Sequence, residues 1–455
     1  MKTKHIILLF FIVSFLQLSC TKLVDVDPPP DRVVKEMVFT NDATALSAMS
    51  GLYTQMIRTS TQFSSSAITL YAGLYADELY AVNPSSNVDE YYNNALLASN
   101  GTLRTNLWLP AYQIIFQANN IIEGLSTSTG VSAGTKKQLE GEAKFIRAFC
   151  HFYLAALYGD VPLITSTDYR INATAPRTAV TDVYDQVISD LQEAKVLTGN
   201  TYPSAARARI NSYAASALLA RVYLYKGEWQ KAETEASRVI NEPQYGMVAN
   251  MANVFLSTST ETIWQLMPVS ANINTWEGNL FVPGINAAPA YPLSHPLVNS
   301  FSVTDGRKTN WTKTVTIGSN TYHYPYKYKV KTAATVTEYY VVLRLAEQYL
   351  IRTEARARLG NIAGAKMDLN VIRSRAGLGV DASNDIVTLL TAIENERRLE
   401  LFAEWGHRLF DLKRTNRADA VLPAVKPGWN ATDALLPIPS QELNRNPKLT
   451  QNPGY

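Results

Sequence analysis

Histidines and carboxylates are the side chains of this sequence that could bind metal or transfer protons. Four of the five histidines follow the first 19 residues, namely His151, His295, His323 and His407. No His-Glu-x-x-His motif occurs, and the Glu-x-x-His formed by Glu404 and His407 is a single copy, whereas a di-iron bundle needs two copies and two further glutamates. Phosphate-binding glycine loops and the Gly-x-Ser-x-Gly elbow are also absent from the sequence. The pattern therefore predicts no cofactor and no metal ligand set; a structural Ca²⁺ stays open, because no ligand spacing predicts one.

Clustered carboxylates raise the question of glycoside hydrolysis, which uses two carboxyl groups about 5 to 10 Å apart. They form two groups along the chain: Asp77 with Glu78, and then Glu394, Glu396, Glu400 and Glu404. The second group is interleaved with Arg397, Arg398 and Arg408 at helical spacing, which is typical of a helix with many ion pairs. The sequence favours this structural role, although it leaves an anchored glycosidase open as an alternative.

The first 20 residues are typical of an export signal. Lys2 and Lys4 precede the apolar run Ile6–Leu16, and the small residue Ser19 stands directly before Cys20. This arrangement resembles the bacterial lipoprotein signal, in which the cysteine becomes lipidated and the N-terminal peptide is removed. We therefore predict a signal peptide over residues 1–19, a lipidated Cys20 and an extended tether over residues 20–32.

Composition indicates a folded binding protein rather than a nucleic-acid partner. The chain has 42 Lys and Arg against 39 Asp and Glu, and this near balance argues against nucleic acid. Only two cysteines occur, so a disulfide framework is not expected and the core alone must stabilise the fold. The 25 tyrosines, beside 7 tryptophans and 14 phenylalanines, suggest a binding surface, because aromatic side chains with polar tips suit both cores and interfaces.

Helix pairs are the elements that must position these residues. Small and apolar residues at helical spacing lead to Gly227 and then continue to Ile240, and the segment around Gly360 repeats this pattern in register. A third pair is predicted from helices near 136–158 and 180–197, and a fourth from a helix over 108–124 paired with one of its neighbours. The sequence therefore predicts a mainly α fold of tetratricopeptide-like helix pairs near 134–241 and 343–414, with little β structure.

Two stretches without helical period interrupt the helix pairs. They cover residues 82–106 and 242–342, and the second contains seven prolines. Loops of this length inside a compact domain are commonly functional. We expect residues 33–455 to form a single domain, in which these two loop-rich insertions lie against the helical scaffold.

Four blocks of sequence resemble the SusD/RagB family. They are Gly141–Ala148 with Leu157–Leu163, Arg344–Gly360, Glu396–Arg414, and Leu436–Pro439 with Gln451–Tyr455. Together with the lipoprotein-like start, the resemblance covers essentially the whole mature chain. It implies four tetratricopeptide-like helix pairs that support a loop-rich ligand face.

The resemblance also implies a function. Family members are surface-exposed outer-membrane lipoproteins that bind oligosaccharide without cleaving it and deliver it to a SusC-like TonB-dependent barrel. RagB-like relatives serve peptide uptake instead. The expected partners are therefore the barrel, an oligosaccharide or a peptide, and the outer membrane through the lipid anchor.

In such proteins the ligand site is an exposed aromatic arc drawn from two loop regions, which correspond here to residues 82–106 and 242–342. A sugar ring presents an apolar face to an aromatic ring, while amide and charged side chains bind its hydroxyls. The candidate ligand residues are Asn83, Tyr91, Tyr92, Trp276 and Trp311.

Alternate tyrosines near the end of the second region predict a β-strand. Tyr322, Tyr324, Tyr326 and Tyr328 follow period two, which would place all four rings on one face. Because the run leads into the block that begins at Arg344, we assign these rings to core packing rather than to ligand contact.

Overall fold

The computed structural model describes residues 38–455, of which helices make up the largest part. Helix accounts for 55% of the structure and strand for 7%, which confirms the mainly α fold predicted from the sequence. The signal peptide, Cys20 and the tether fall outside the described residues. None of the helices in the described range is long and apolar enough to cross a membrane.

The secondary structure divides into long helices at both ends of the chain and short elements between them. The first helices are α1 (Asp42–Ile57), α2 (Ile68–Tyr75), α3 (Ser86–Tyr92), α4 (Leu109–Thr127), α5 (Ala133–Tyr158), α6 (Tyr169–Asn172), α7 (Val180–Leu197), α8 (Ser212–Lys226) and α9 (Trp229–Ile240). The central elements are β1 (Thr262–Leu266), α10 (Trp276–Phe281), α11 (His295–Ser300), α12 (Gly306–Trp311), β2 (Thr312–Ile317), β3 (Asn320–Pro325) and β4 (Tyr340–Arg344). The C-terminal helices are α13 (Leu345–Arg358), α14 (Ile362–Arg375), α15 (Ile386–Leu401), α16 (His407–Arg414), α17 (Ala418–Val421) and α18 (Ser440–Arg445).

The predicted helix pairs are present, and they pack on one another in succession. Each helix contacts the next in the order α4, α5, α7, α8, α9 and α13, and α13 also packs against α14 and α15. Helix α8 is capped at its N-terminus by Asn211, whose side chain accepts hydrogen bonds from the first backbone N–H groups, and at its C-terminus by Gly227 in the left-handed conformation. Gly360 also has positive φ, at 83°, between α13 and α14. The glycines read from the sequence are therefore the turns of two helix pairs.

The strands form two small antiparallel pairs. Strands β1 and β4 pair with each other and are completely buried, while β2 and β3 form a hairpin. Strand β3 ends at Pro325, which has no N–H to continue a ladder, so the prediction of one strand face through Tyr328 was wrong. Tyr324 and Tyr328 are buried, whereas Tyr322 and Tyr326 are half-buried.

A buried ion-pair network joins the central strands to the C-terminal helices. Arg344, at the end of β4, places Nη1 2.9 Å from Glu261 Oε1 and 2.6 Å from Glu400 Oε1, and its Nε lies 2.7 Å from Glu404 Oε2. Glu400 also binds Arg375. Glu400 and Glu404 are thus ion-paired as predicted, but their partners come from other elements rather than from the same helix.

Two further buried cations complete the network. Arg307 on α12 lies 2.5 Å from Glu396 Oε1 and also binds Asp305. The Lys327 ammonium binds Glu404. Each carboxylate in this network therefore faces at least one cation, as buried charges require.

Removal of Glu400 should strongly destabilise the fold. Glu400→Gln leaves Arg344 and Arg375 without a shared carboxylate, and breaking a buried pair typically costs about 3 to 5 kcal/mol. The free energy of unfolding, measured by urea denaturation at pH 7, should fall accordingly. Glu233→Gln removes the partly exposed partner of Arg356 and should cost less than about 1 kcal/mol. Equal losses in the two variants would show that the network does not stabilise the fold.

Candidate ligand-binding site

A short backbone ladder brings the two predicted loop regions together. Tyr80 N donates to Pro292 O at 3.0 Å, Val82 N donates to Ala290 O at 2.9 Å, and Leu79 forms an antiparallel bridge with Leu293. Leu293 N also donates to the carbonyl of His323 at 2.7 Å, so the β2–β3 hairpin joins the same edge. Segments more than 200 residues apart in sequence therefore meet at one surface.

A pocket of about 310 Å³ lies beside this ladder. Its lining residues are Ala76, Asp77, Leu79, Tyr80, Tyr92, Ser294, His295, Pro296, Val425 and Lys426. The rings of Tyr80 and His295 stack with centroids 6.1 Å apart and an interplanar angle of 22°. Tyr92 is 37% exposed and His295 is exposed, so aromatic surface is available to a ligand. A larger pocket, of about 470 Å³, lies at the C-terminal end of α5, but neither loop region lines it.

Lys426 holds Tyr92 in place. Its ammonium donates to the carbonyl oxygens of Leu74 and Tyr92 and lies 4.1 Å from the centroid of the Tyr92 ring. Burial lowers the pKa of Lys426 to about 7. Because the cation covers one face of the ring, a ligand would stack on the other face.

Asp77 forms one wall of the pocket and is fixed by two arginines. Arg408 binds both of its carboxylate oxygens, at 2.8 and 3.0 Å, and Arg398 binds at 2.7 Å. Burial acts to raise the pKa of Asp77, but the hydrogen bond and charge of Arg408 outweigh it and the pKa is lowered. Asp77 is therefore an ionised carboxylate that the two arginines hold in a fixed position in the pocket wall.

Glu78 is the neighbouring acid, and it points away from solvent. It is 1% exposed, and burial, together with the charge of Asp77, raises its pKa to about 8. Its Oε2 accepts a long hydrogen bond from Ala403 N at 3.4 Å, while Oε1 has no hydrogen-bond partner among the described residues. Glu78 is thus largely protonated at neutral pH and does not line the pocket.

The structure brings one of the five predicted ligand residues into the pocket and leaves two others at the surface outside it. Tyr92 lines the pocket. Asn83 is exposed, with φ of 55°, in the loop that follows the ladder. Trp276 is half-buried at the start of α10, where its Nε1 donates to Ile57 O at 2.7 Å, and it does not line the pocket.

Burial excludes the other two predicted residues from stacking on a sugar in this conformation. Tyr91 is 0% exposed and stacks on Tyr71 with ring centroids 4.4 Å apart. Trp311 is also 0% exposed, and its Nε1 donates to Met251 O at 2.9 Å. These aromatic rings stabilise the loops from inside, so their expected ligand role is corrected to packing.

Sequence reasoning missed Tyr80 and His295. Tyr80 lies two residues before the predicted loop region, and the sequence alone suggests His295 only as a possible metal ligand. Tyr322 also lies close enough to Tyr80 to raise the pKa of that phenol, after the larger effect of burial. In the structure Leu79 is buried and Tyr80 is half-buried, as in a strand with one face in the core. The segment with which they pair is distant in sequence, so no local pattern marks them.

Comparisons with known proteins give a consistent result. Residues 36–224 match a family model named SusD-like_3, described as "Starch-binding associating with outer membrane", and residues 304–455 match the SusD_RagB model, described as "SusD family". SusD-like protein P25 of Formosa agariphila is 24% identical to this chain over 100% of both sequences.

Solved structures show the same fold. A laminarin-binding SusD-like protein is 24% identical, covers 92% of this chain and 100% of its own, and superposes with a TM-score of 0.78. Surface glycan-binding protein A from Bacteroides thetaiotaomicron, in complex with laminarihexaose, is 21% identical, covers 91% of this chain and 100% of its own, and has a TM-score of 0.77.

Glu78 should make the stability of the protein depend on pH. Its pKa is raised from 4.5 to about 8 in the folded state, so its contribution to stability is present below about pH 4.5 and is lost as the pH rises towards 8. Glu78→Gln should remove this contribution to the change of unfolding free energy with pH. The free energy of unfolding of the variant should therefore increase relative to that of the parent protein from pH 5 to pH 8. Part of the slope should persist, because burial also raises the pKa of Glu277 to about 8.

Urea unfolding at pH 5, 6.5 and 8 would measure this slope. Glu140→Gln, a change in a partly exposed ion pair with Lys144, is the matched control and should keep the slope of the parent protein. An unchanged slope in Glu78→Gln would contradict the assignment.

Proposed function

Because this chain belongs to the SusD/RagB family, we propose that it is a cell-surface glycan-binding lipoprotein that captures oligosaccharide for uptake. The observation that carries this proposal is the ladder between residues 78–82 and 290–294. It joins the two loop regions into one pocket with exposed aromatic rings. A pocket of this kind suits a sugar, because its rings offer flat apolar faces next to fixed polar groups.

The names of two similar structures support a carbohydrate ligand. One is a laminarin-binding protein, and the other was solved with laminarihexaose. Laminarin and laminarihexaose are the ligands of those two proteins, and we infer from them that this chain binds a glycan. A peptide ligand is the main alternative outcome of a binding test.

We further propose that the protein binds without catalysis and passes its ligand to a SusC-like TonB-dependent barrel. Hydrolysis of a glycosidic bond uses two carboxyl groups across the sugar. Among the pocket-lining residues Asp77 is the one carboxylate, and it is held by Arg398 and Arg408. The partnership with the barrel rests on family membership.

Loss of either tyrosine ring that lines the pocket should weaken glycan binding. Tyr80→Ala and Tyr92→Ala each remove a stacking surface worth about 1 kcal/mol, so affinity should fall about fivefold in each variant. Retardation of the soluble protein in native gels that contain polysaccharides would identify the glycan, and isothermal titration would give the change in affinity.

Tyr169→Ala is the control for these variants, because Tyr169 is 77% exposed but lies on α6, away from the pocket. Its affinity should not change. Equal losses at Tyr169 and Tyr92, or no retardation by any glycan, would contradict the proposed site or the proposed ligand class respectively.

Membrane attachment should depend on Cys20. In a Gram-negative host that processes lipoproteins, Cys20→Ala should abolish incorporation of labelled palmitate and release the protein from the outer-membrane fraction, because each buried methylene of the anchor contributes roughly 0.8 kcal/mol. Cys150→Ala changes a buried thiol and should leave labelling intact. Labelling that persists in Cys20→Ala would refute the lipid anchor.

A further inference from the structure

The segment that contains the β2–β3 hairpin is unusually basic. Residues 306–331 contain six basic side chains and no Asp or Glu, whereas the whole chain is nearly balanced, with 42 basic and 39 acidic residues. The six are Arg307, Lys308, Lys313, Lys327, Lys329 and Lys331. A local excess of one sign raises the concentration of oppositely charged ligands at a surface.

Only part of this charge is needed by the fold. Arg307 and Lys327 are buried and paired with carboxylates of the core network. Lys331 donates to the carbonyl oxygens of Asn279 and Val282 at the end of α10, which gives it a structural role. Lys308, Lys313 and Lys329 form none of the ion pairs found within residues 38–455, although the Lys329 ammonium also donates to Ala252 O at 3.1 Å.

Two of these lysines crowd one half-buried ring. The Lys313 ammonium lies 4.8 Å and the Lys329 ammonium 5.9 Å from the centroid of Tyr326. The nearby acid Glu338 is buried and accepts hydrogen bonds from the backbone N–H groups of Lys329 and Val330. Two like charges near one ring repel each other, and a bound anion would reduce this repulsion.

The basic segment is continuous with the pocket. The His323 carbonyl accepts from Leu293 N in the ladder, and His323 Nδ1 lies 3.1 Å from Thr314 Oγ1 across the hairpin. Burial lowers the pKa of His323, and the charges of Lys308 and His295 lower it further. Lys426 also lines the pocket, where its side-chain nitrogen is bound to the carbonyl oxygens of Leu74 and Tyr92.

We propose that this site selects acidic oligosaccharides, with sugar rings stacked on Tyr80 and Tyr92 and carboxylate or sulfate substituents bound along Lys308, Lys313 and Lys329. The inference rests on the proposed glycan-binding function and names its ligand class. The pocket wall does not oppose an anion, because its one carboxylate, Asp77, is neutralised by two arginines.

Isothermal titration with matched oligosaccharides tests the charge preference. The probes are oligogalacturonate, a sulfated galacto-oligosaccharide and a neutral galacto-oligosaccharide of similar length, each at 50 and 300 mM NaCl. At least one acidic probe should bind tenfold or more tightly than the neutral one at low salt, and the difference should shrink at high salt because screening weakens exposed charges. The two acidic probes show whether carboxylate or sulfate is preferred.

Charge-neutral variants test the residues. The triple variant Lys308→Gln, Lys313→Gln and Lys329→Gln should weaken acidic probes at least tenfold and change neutral binding less than twofold. A control triple variant of exposed lysines elsewhere, Lys137→Gln, Lys231→Gln and Lys448→Gln, should change neither. Circular dichroism and the retained neutral binding show that the triple variant is folded.

The outcomes separate this inference from the proposed function. Neutral binding as tight as acidic binding, or acidic binding unaffected by the triple variant, would overturn the charge preference and leave glycan binding intact. No binding of any oligosaccharide, in this set or in the polysaccharide gels, would overturn the proposed function and this inference with it.

Discussion

The buried guanidinium of Arg344 sets the constraint on which the rest of the structure depends. A charge in the protein interior is stable only when several carboxylates surround it in good geometry, and here Glu261, Glu400 and Glu404 do so. Glu261 directly precedes β1, and Glu400 lies in the last turn of α15. The pairing of β1 with β4 and the position of α15 are therefore fixed together, which anchors the long central insertion to the helical scaffold.

The same helical segment also reaches the candidate pocket. Arg398 lies two residues before Glu400, and Arg408 follows in α16; both bind Asp77 in the pocket wall. Asp77 directly precedes the residues that form the ladder with 290–294. A short stretch of sequence thus stabilises the core with one set of charges and orients the binding surface with another, so the rings of Tyr80 and Tyr92 are held before a ligand arrives. Such preorganisation matters for a sugar, because each stacking or hydrogen-bonding contact is weak and ordering loose loops would cancel it.

The helix pairs could be predicted from sequence, whereas the exposure of individual rings could not. Gly227 and Gly360 mark helix ends because the backbone there has positive φ, which favours glycine, and this signal is local in the sequence. Whether Tyr92 is exposed while its neighbour Tyr91 is buried depends on how α3 sits against Tyr71, which no local pattern encodes. His295 enters the site through a ladder between segments more than 200 residues apart, and for the same reason it was invisible to motif analysis.

The blocks that reveal the family are therefore poor guides to its ligand. Arg397 binds Asp411 and Arg414 binds Glu354, so these motif residues form buried ion pairs that the scaffold requires whatever is bound. Ligand choice must instead depend on segments without a motif, whose side chains are not needed by the core. Residues 306–331 meet this condition in part: Arg307 and Lys327 are committed to the network, while Lys308, Lys313 and Lys329 are not. Charges that the ion-pair network does not use are the kind of feature from which specificity can be argued when a motif gives only the family.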